Sequence, residues 1–363
     1  MNEQMKQRGL LLLTGLLMLA GFSHIHAADW YPLQVDIWDP PFNNDLKRRS
    51  DTYTPVEKAN RPWKICVSIP HLKDAFWTTV NFALFDEAKR LGVRLRIKEA
   101  GGYDKLDIQL EQIQSCMDTG ADGLIVGGIT SDGLNVLVEG YLAQKKPVID
   151  LINSISAKGI TARAAGTYWE NGNQAGKYLK KVTSGNPAKV LWFPGPKGPA
   201  WSKASDQGFR KALLESDIEI METGWGDTGH AKQAALIEAA LSRHPDVNYV
   251  VGTAVSAEAA VHVLRKRGLA KKIKVMSYYY SPGVHRGIRR GHIMASPTDK
   301  QGLQARLAMD IIVRALEGKP YLKHVGSKVE IVNQQNLRNF DETSSIPPRG
   351  FRPVFSVDDW VAN

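Results

Sequence analysis

The sequence predicts an α/β protein made of two similar lobes, each a doubly wound parallel sheet. Three observations carry that prediction. From Lys64 onward, short apolar runs alternate with amphipathic stretches of helical period, the pattern of βα units. The alternation restarts near Gly172, and both halves repeat a phrase after a helix, "GADGLIVGG" and "HPDVNYVVGT". The length is the third: about 335 residues remain after a leader, more than one core usually holds.

The leader comes first in the chain. Lys6 and Arg8 precede "GLLLLTGLLMLAGF" and an Ala27-Ala28 exit. A basic start, a short apolar centre and small exit residues predict a secretory signal peptide over residues 1–27. The run is too short to span a membrane comfortably. Residues 28–62, rich in Pro, Asn and charge, read as an irregular N-terminal arm, and the tail 346–363 reads the same way.

In the first half, "KICVSI", "VRLRIKEAGG", "ADGLIVGG" and "KPVIDLI" read as strands. The helices between them end near Gly92, Gly120 and Gly140, where a left-handed residue costs least. In the second half, "AKVLWFPG", "IEIMETGW", "VNYVVGT" and "IKVMSYYY" are the strands.

Several functions are disfavoured. The net charge is +10, but the basic residues are scattered, whereas a nucleic-acid groove concentrates them. The nine histidines form no H-E-x-x-H or comparable cluster, so no metal or cofactor is expected. No G-x-S-x-G or Cys-His pairing suggests a nucleophile, so no enzyme is expected either. "GWGDTG" at 224–229 fits G-x-G-x-x-G, but no acidic residue ends the next strand as a nucleotide site requires. Only Cys66 and Cys116 are present. With strand order 2-1-3, the helix carrying Cys116 crosses the strand carrying Cys66. A disulfide and two buried thiols are both compatible with that placement.

The ordered set "ADGLIVGG", "KPVIDLI", "GFRKALLES", "AEAAVHVLRKRG" and "KVMSYYYSPGVHRGI" resembles type I periplasmic binding proteins, the ribose-binding group and its relatives, from about Trp63 to Val332. The resemblance implies discontinuous lobes joined by three crossovers: 63–166 plus 297–326, and 167–296 plus 327–345. It implies a ligand in the cleft, closed over by hinge bending, and it puts the "GWGDTG" loop outside the ligand site.

Cleft positions lie at the carboxyl ends of strands. There the resemblance brings Asp74, Phe76, Trp77, Tyr103, Trp169, Trp201, Tyr278 and Tyr279. Sugar-binding members carry carboxylates and an Arg at several of these places. This chain aligns Ile152-Asn153, Trp201-Ser-Lys203, Ala254-Val255 and the three tyrosines there instead. A buried sugar hydroxyl without a partner loses about 1–3 kcal/mol, whereas aromatic faces attract a methylated ammonium.

Each residue also has a plainer reading. Phe76 and Trp77 could open a core helix, Tyr168 and Trp169 could pack the hinge, and Asp74 could cap the first helix. Asp74 serves both roles only if its second oxygen stays free.

"DAFWTTV" and "GGYD" resemble the cage segments of the family branch that senses trimethylamine N-oxide in the Tor respiratory system. That resemblance implies a periplasmic receptor for the N-oxide, signalling to a membrane sensor histidine kinase that controls anaerobic N-oxide respiration. The alternative is the solute-binding component of an ABC importer for a sugar or betaine-like solute.

Overall fold

Residues 30–43 and 47–358 are described by the structure, a computed structural model; the leader expected at 1–27 lies outside them. The first lobe is built on one sheet. Its parallel centre is β3 (Lys64–Ile69), β4 (Arg94–Glu99), β5 (Gly123–Val126), β6 (Val148–Leu151) and β7 (Ala162–Ala164). β13 (His324–Ser327) returns from late in the chain to lie parallel beside β7.

The arm expected to be irregular forms two further strands, β1 (Leu33–Trp38), antiparallel to β13, and β2 (Arg48–Tyr53), antiparallel to β1. Val35, Ile37 and Tyr53 supply the buried side chains that hold them. The polar face of β2 hid it from a periodicity argument. At the other edge, β15 (Ser356–Val357), in the tail also expected to be irregular, pairs with β4. The full order is β15-β4-β3-β5-β6-β7-β13-β1-β2.

Helices α1 (Ala75–Leu91), α2 (Leu106–Asp118) and α3 (Asn135–Ala143) connect the first strands. α1 begins at an Asp74 cap and ends at Gly92 with φ 73°, where a side chain would be strained. α9 (Gln301–Leu316) is buried on every side from Gln301 to Val313, as a helix enclosed by its own lobe must be. Its Asp310 accepts hydrogen bonds from the Tyr53 hydroxyl and from Val56 N (2.7 Å), which docks the arm. Cys66 on β3 and Cys116 on α2 form a disulfide, with Cα atoms 5.9 Å apart.

The second lobe has a four-stranded parallel sheet, order β11-β10-β8-β9, from β8 (Ala188–Gly195), β9 (Ile218–Trp225), β10 (Tyr249–Gly252) and β11 (Lys274–Ser277). Its helices are α4 (Tyr168–Thr183), α5 (Ala200–Leu213), α6 (His230–Arg243), α7 (Ala254–Lys266) and α8 (Pro282–Arg289). β12 (Ala295–Thr298) and β14 (Glu330–Asn333) pair antiparallel beside it.

The chain passes between lobes after β7, after β12 and after β13. The tail then makes one more passage, back to the first lobe. There Phe351 packs on Phe82 (ring centroids 5.1 Å), and the Asn81 side chain bonds both the N–H and the C=O of Val354.

Candidate functional site

Where β3 hands over to α1, the chain places an acid and two aromatic rings in succession. Asp74 caps the helix, its Oδ1 accepting from Phe76 N at 2.9 Å. Its Oδ2 is not free: it accepts from the Tyr279 hydroxyl at 2.6 Å. Tyr279 follows β11 in the second lobe, so this bond joins the lobes through the site. Complete burial pushes the Asp74 carboxyl up to about 6. The Tyr279 phenol is raised above its usual range, first by burial and then by Asp74.

The rings follow one another in an unbroken run around the site. Phe76 meets Trp77 edge to face at 5.7 Å and Tyr279 at 5.4 Å. Tyr279 meets Trp201 at 6.3 Å, Trp201 meets Tyr103 at 5.7 Å, and Tyr103 meets His71 at 5.1 Å. Each tryptophan rests on a glycine. A Cβ on Gly127, after β5, would stand 2.7 Å from the Trp77 ring. One on Gly195, which closes β8 with φ 101°, would stand 2.7 Å from the Trp201 ring. Both indoles therefore need a backbone without a side chain beneath them.

Asn153 orients Tyr103, donating to its hydroxyl (3.1 Å) while also donating to Gly128 O (2.9 Å). The phenol oxygen is thus an acceptor there, and its own hydrogen is left to donate. Burial raises this phenol too. His71 is pushed down to about 4 by burial, which keeps it neutral.

Trp201 Nε1, both His71 ring nitrogens and Thr228 Oγ1 are buried without a hydrogen-bond partner. Four such atoms around one cavity are exceptional, because buried polar groups are nearly always satisfied. The space they surround measures about 230 Å³. At its mouth, Lys73 of the first lobe pairs with Asp227 of the second at 3.0 Å.

The structure brings together Asp74, Phe76, Trp77, Tyr103, Trp201 and Tyr279 around this cavity. Trp169 and Tyr278 are not among them. Consecutive residues of a helix point about 100° apart, and in α4 it is Tyr168 that reaches the cage, its ring 5.7 Å from Trp201. Trp169 turns to a neighbouring chamber. Tyr278 belongs to the second lobe's core: its hydroxyl donates to Pro194 O at 2.7 Å and its ring lies 5.2 Å from Trp192.

His71, Tyr168 and Thr228 line the cavity without having been singled out for it. Thr228 comes from the "GWGDTG" loop, which corrects the expectation that this loop lies outside the site. No motif marks a lone His or Thr, though the "SIPHLKDAFW" context puts His71 at a strand end. Among the described residues, no group of His, Cys, Asp and Glu could hold a metal ion. No helix of those residues is long and apolar enough to cross a membrane.

Comparison with known proteins agrees with the fold. The family model for the periplasmic binding protein domain matches residues 65–320. The periplasmic protein TorT of Escherichia coli (strain K12) is 33% identical over 346 residues, covering 95% of this chain and 96% of TorT. A solved ABC transporter solute binding protein from Bradyrhizobium sp. BTAi1, with bound bis-tris, is 45% identical with a TM-score of 0.81, covering 90% of this chain and 99% of that one. A chain of the TorS sensor domain–TorT complex solved in the presence of TMAO is 30% identical with a TM-score of 0.74, covering 81% and 99%. Alternating βα units, two lobes and a shared cleft thus converge on one conclusion: the chain belongs to the periplasmic binding protein family, and it is a periplasmic solute-binding protein.

Proposed function

We propose that this protein is a receptor for trimethylamine N-oxide whose lobe arrangement is read by the periplasmic domain of a membrane sensor histidine kinase controlling N-oxide respiration. The observation that carries the reading is the aromatic cage with buried, unpartnered donors. Three methyl groups on a positive nitrogen suit the faces of Phe76, Trp77, Tyr168 and Tyr279, each ring attracting such a group by about 0.5–2 kcal/mol when desolvated. The oxide suits the free N–H of Trp201, the hydrogen of Tyr103 and the Thr228 hydroxyl. A molecule of five heavy atoms fits so small a space better than a sugar, whose many hydroxyls would each need a partner. The TorT relatives, and the TorS–TorT complexes solved without ligand and with TMAO, support the same reading and its kinase partner.

A second reading is delivery to an ABC importer, favoured by the 45% identical solute binding protein.

Calorimetry with the N-oxide, trimethylamine, glycine betaine and ribose tests the ligand. The expected result is tightest binding of the N-oxide and no heat with ribose; ribose binding without N-oxide binding would reverse the ranking. Co-purification with a sensor kinase periplasmic domain, and not with a permease, is expected under the receptor reading.

A further inference from the structure

Beside the cage lies a larger chamber of about 420 Å³ that the proposed function does not use. Its size falls within the range of small-molecule sites, about 300–1,000 Å³. The Tyr168 and Trp201 rings line both spaces and stand as the wall between them. The two spaces differ in chemistry. The cage is lined mainly by aromatic rings, whereas the chamber combines aromatic surface with N–H donors.

The donors are specific. Arg163 gives Nε to Asp150 (2.6 Å) and Nη2 to Ile155 O (2.9 Å), leaving Nη1 without an acceptor among the described residues. His324, only 3% exposed, accepts from Phe42 N at Nδ1 (3.3 Å), so its hydrogen sits on Nε2. That Nε2 is buried and has no partner. Lys203 is exposed on the rim and makes no ion pair among the described residues. Among the described residues, no acidic side chain lines the chamber. Asp150 offsets much of the Arg163 charge, so recognition rests on these N–H donors and Lys203 rather than on a strong field. The half-buried Trp169, on α4 beside the α5 that carries Lys203, adds a flat apolar surface to the lining.

We propose that this chamber is a second ligand site, for a small organic carboxylate with a flat apolar body lying on Trp169 and its carboxylate held by Arg163, His324 and Lys203. The inference does not depend on what the cage binds.

The test is calorimetry with benzoate as the probe, alongside benzamide, its neutral isostere. Benzoate is expected to bind saturably and benzamide at least about tenfold more weakly, as loss of charge-assisted hydrogen bonds requires. Trp169→Ala and Lys203→Glu should each weaken benzoate by about tenfold, with thermal melts verifying that both variants fold. Trp77→Ala, in the cage, should leave benzoate binding unchanged. No saturable heat at millimolar benzoate, equal binding of benzamide, or loss of benzoate in the Trp77 variant but not in the other two would each overturn the proposal.

Discussion

The Tyr279 hydroxyl donates to Asp74 Oδ2 at 2.6 Å, so a phenol of one lobe and a helix-capping carboxylate of the other meet inside the site. The bond is sheltered from water and joins the two lobes. Tyr279→Phe removes it and leaves Asp74 buried with one donor fewer. N-oxide affinity is expected to fall by about tenfold, the usual cost of a hydrogen bond to a charged group. Calorimetry on the variant checks this, and an unchanged dissociation constant would mean that the bond does not help hold the lobes around ligand.

The same carboxylate gives stability a pH dependence. The Asp74 pKa is raised in the folded protein, from the ordinary 3.8 to about 6. Its contribution is therefore complete below about pH 4 and is lost as pH rises to about 6, up to about 3 kcal/mol for two pH units. Asp74→Asn does not titrate. The stability of the variant minus that of the natural protein should rise across this window and stay flat above about pH 7. Denaturant titrations from pH 4 to pH 8 measure it, and a difference independent of pH would contradict the cause assigned to the shift.

The glycine seats of the tryptophans predict a gain-of-bulk phenotype. Gly127→Ala pushes a methyl against the Trp77 ring, and Trp77→Ala removes the ring. Both are expected to weaken N-oxide binding by more than about tenfold. Parallel calorimetry decides the matter: normal binding by the Gly127 variant would show that the indole has room to shift.

The disulfide should matter for stability and not for the site. Cys66 and Cys116 are 50 residues apart in sequence, and closing such a loop in the unfolded chain is worth about 4 kcal/mol in the entropy model. Reduction should lower the denaturation midpoint accordingly while leaving ligand affinity within about twofold. A mass difference of two hydrogens between reduced and non-reduced protein identifies the bond directly.

Much of the fold was legible because strong βα alternation leaves few topologies open. What was missed has local causes. β2, "RRSDTY", is an edge strand with one long exposed stretch, so it carries no apolar period to detect. At the cage, position along the chain was legible but rotation was not. Tyr168 and Trp169 are neighbouring aromatics, as are Tyr278 and Tyr279, and only helix phase or the turn after a strand decides which ring faces the cleft. His71 and Thr228 were invisible for another reason: their role lies in lacking a partner, which only packing reveals.

The return of the tail to the first lobe has a mechanical consequence. The smaller lobe is tethered at both ends of every passage, and Phe351 and Val354 pin the last tether to α1. Any widening of the jaws must therefore be accommodated in this strap as well as in the three crossovers.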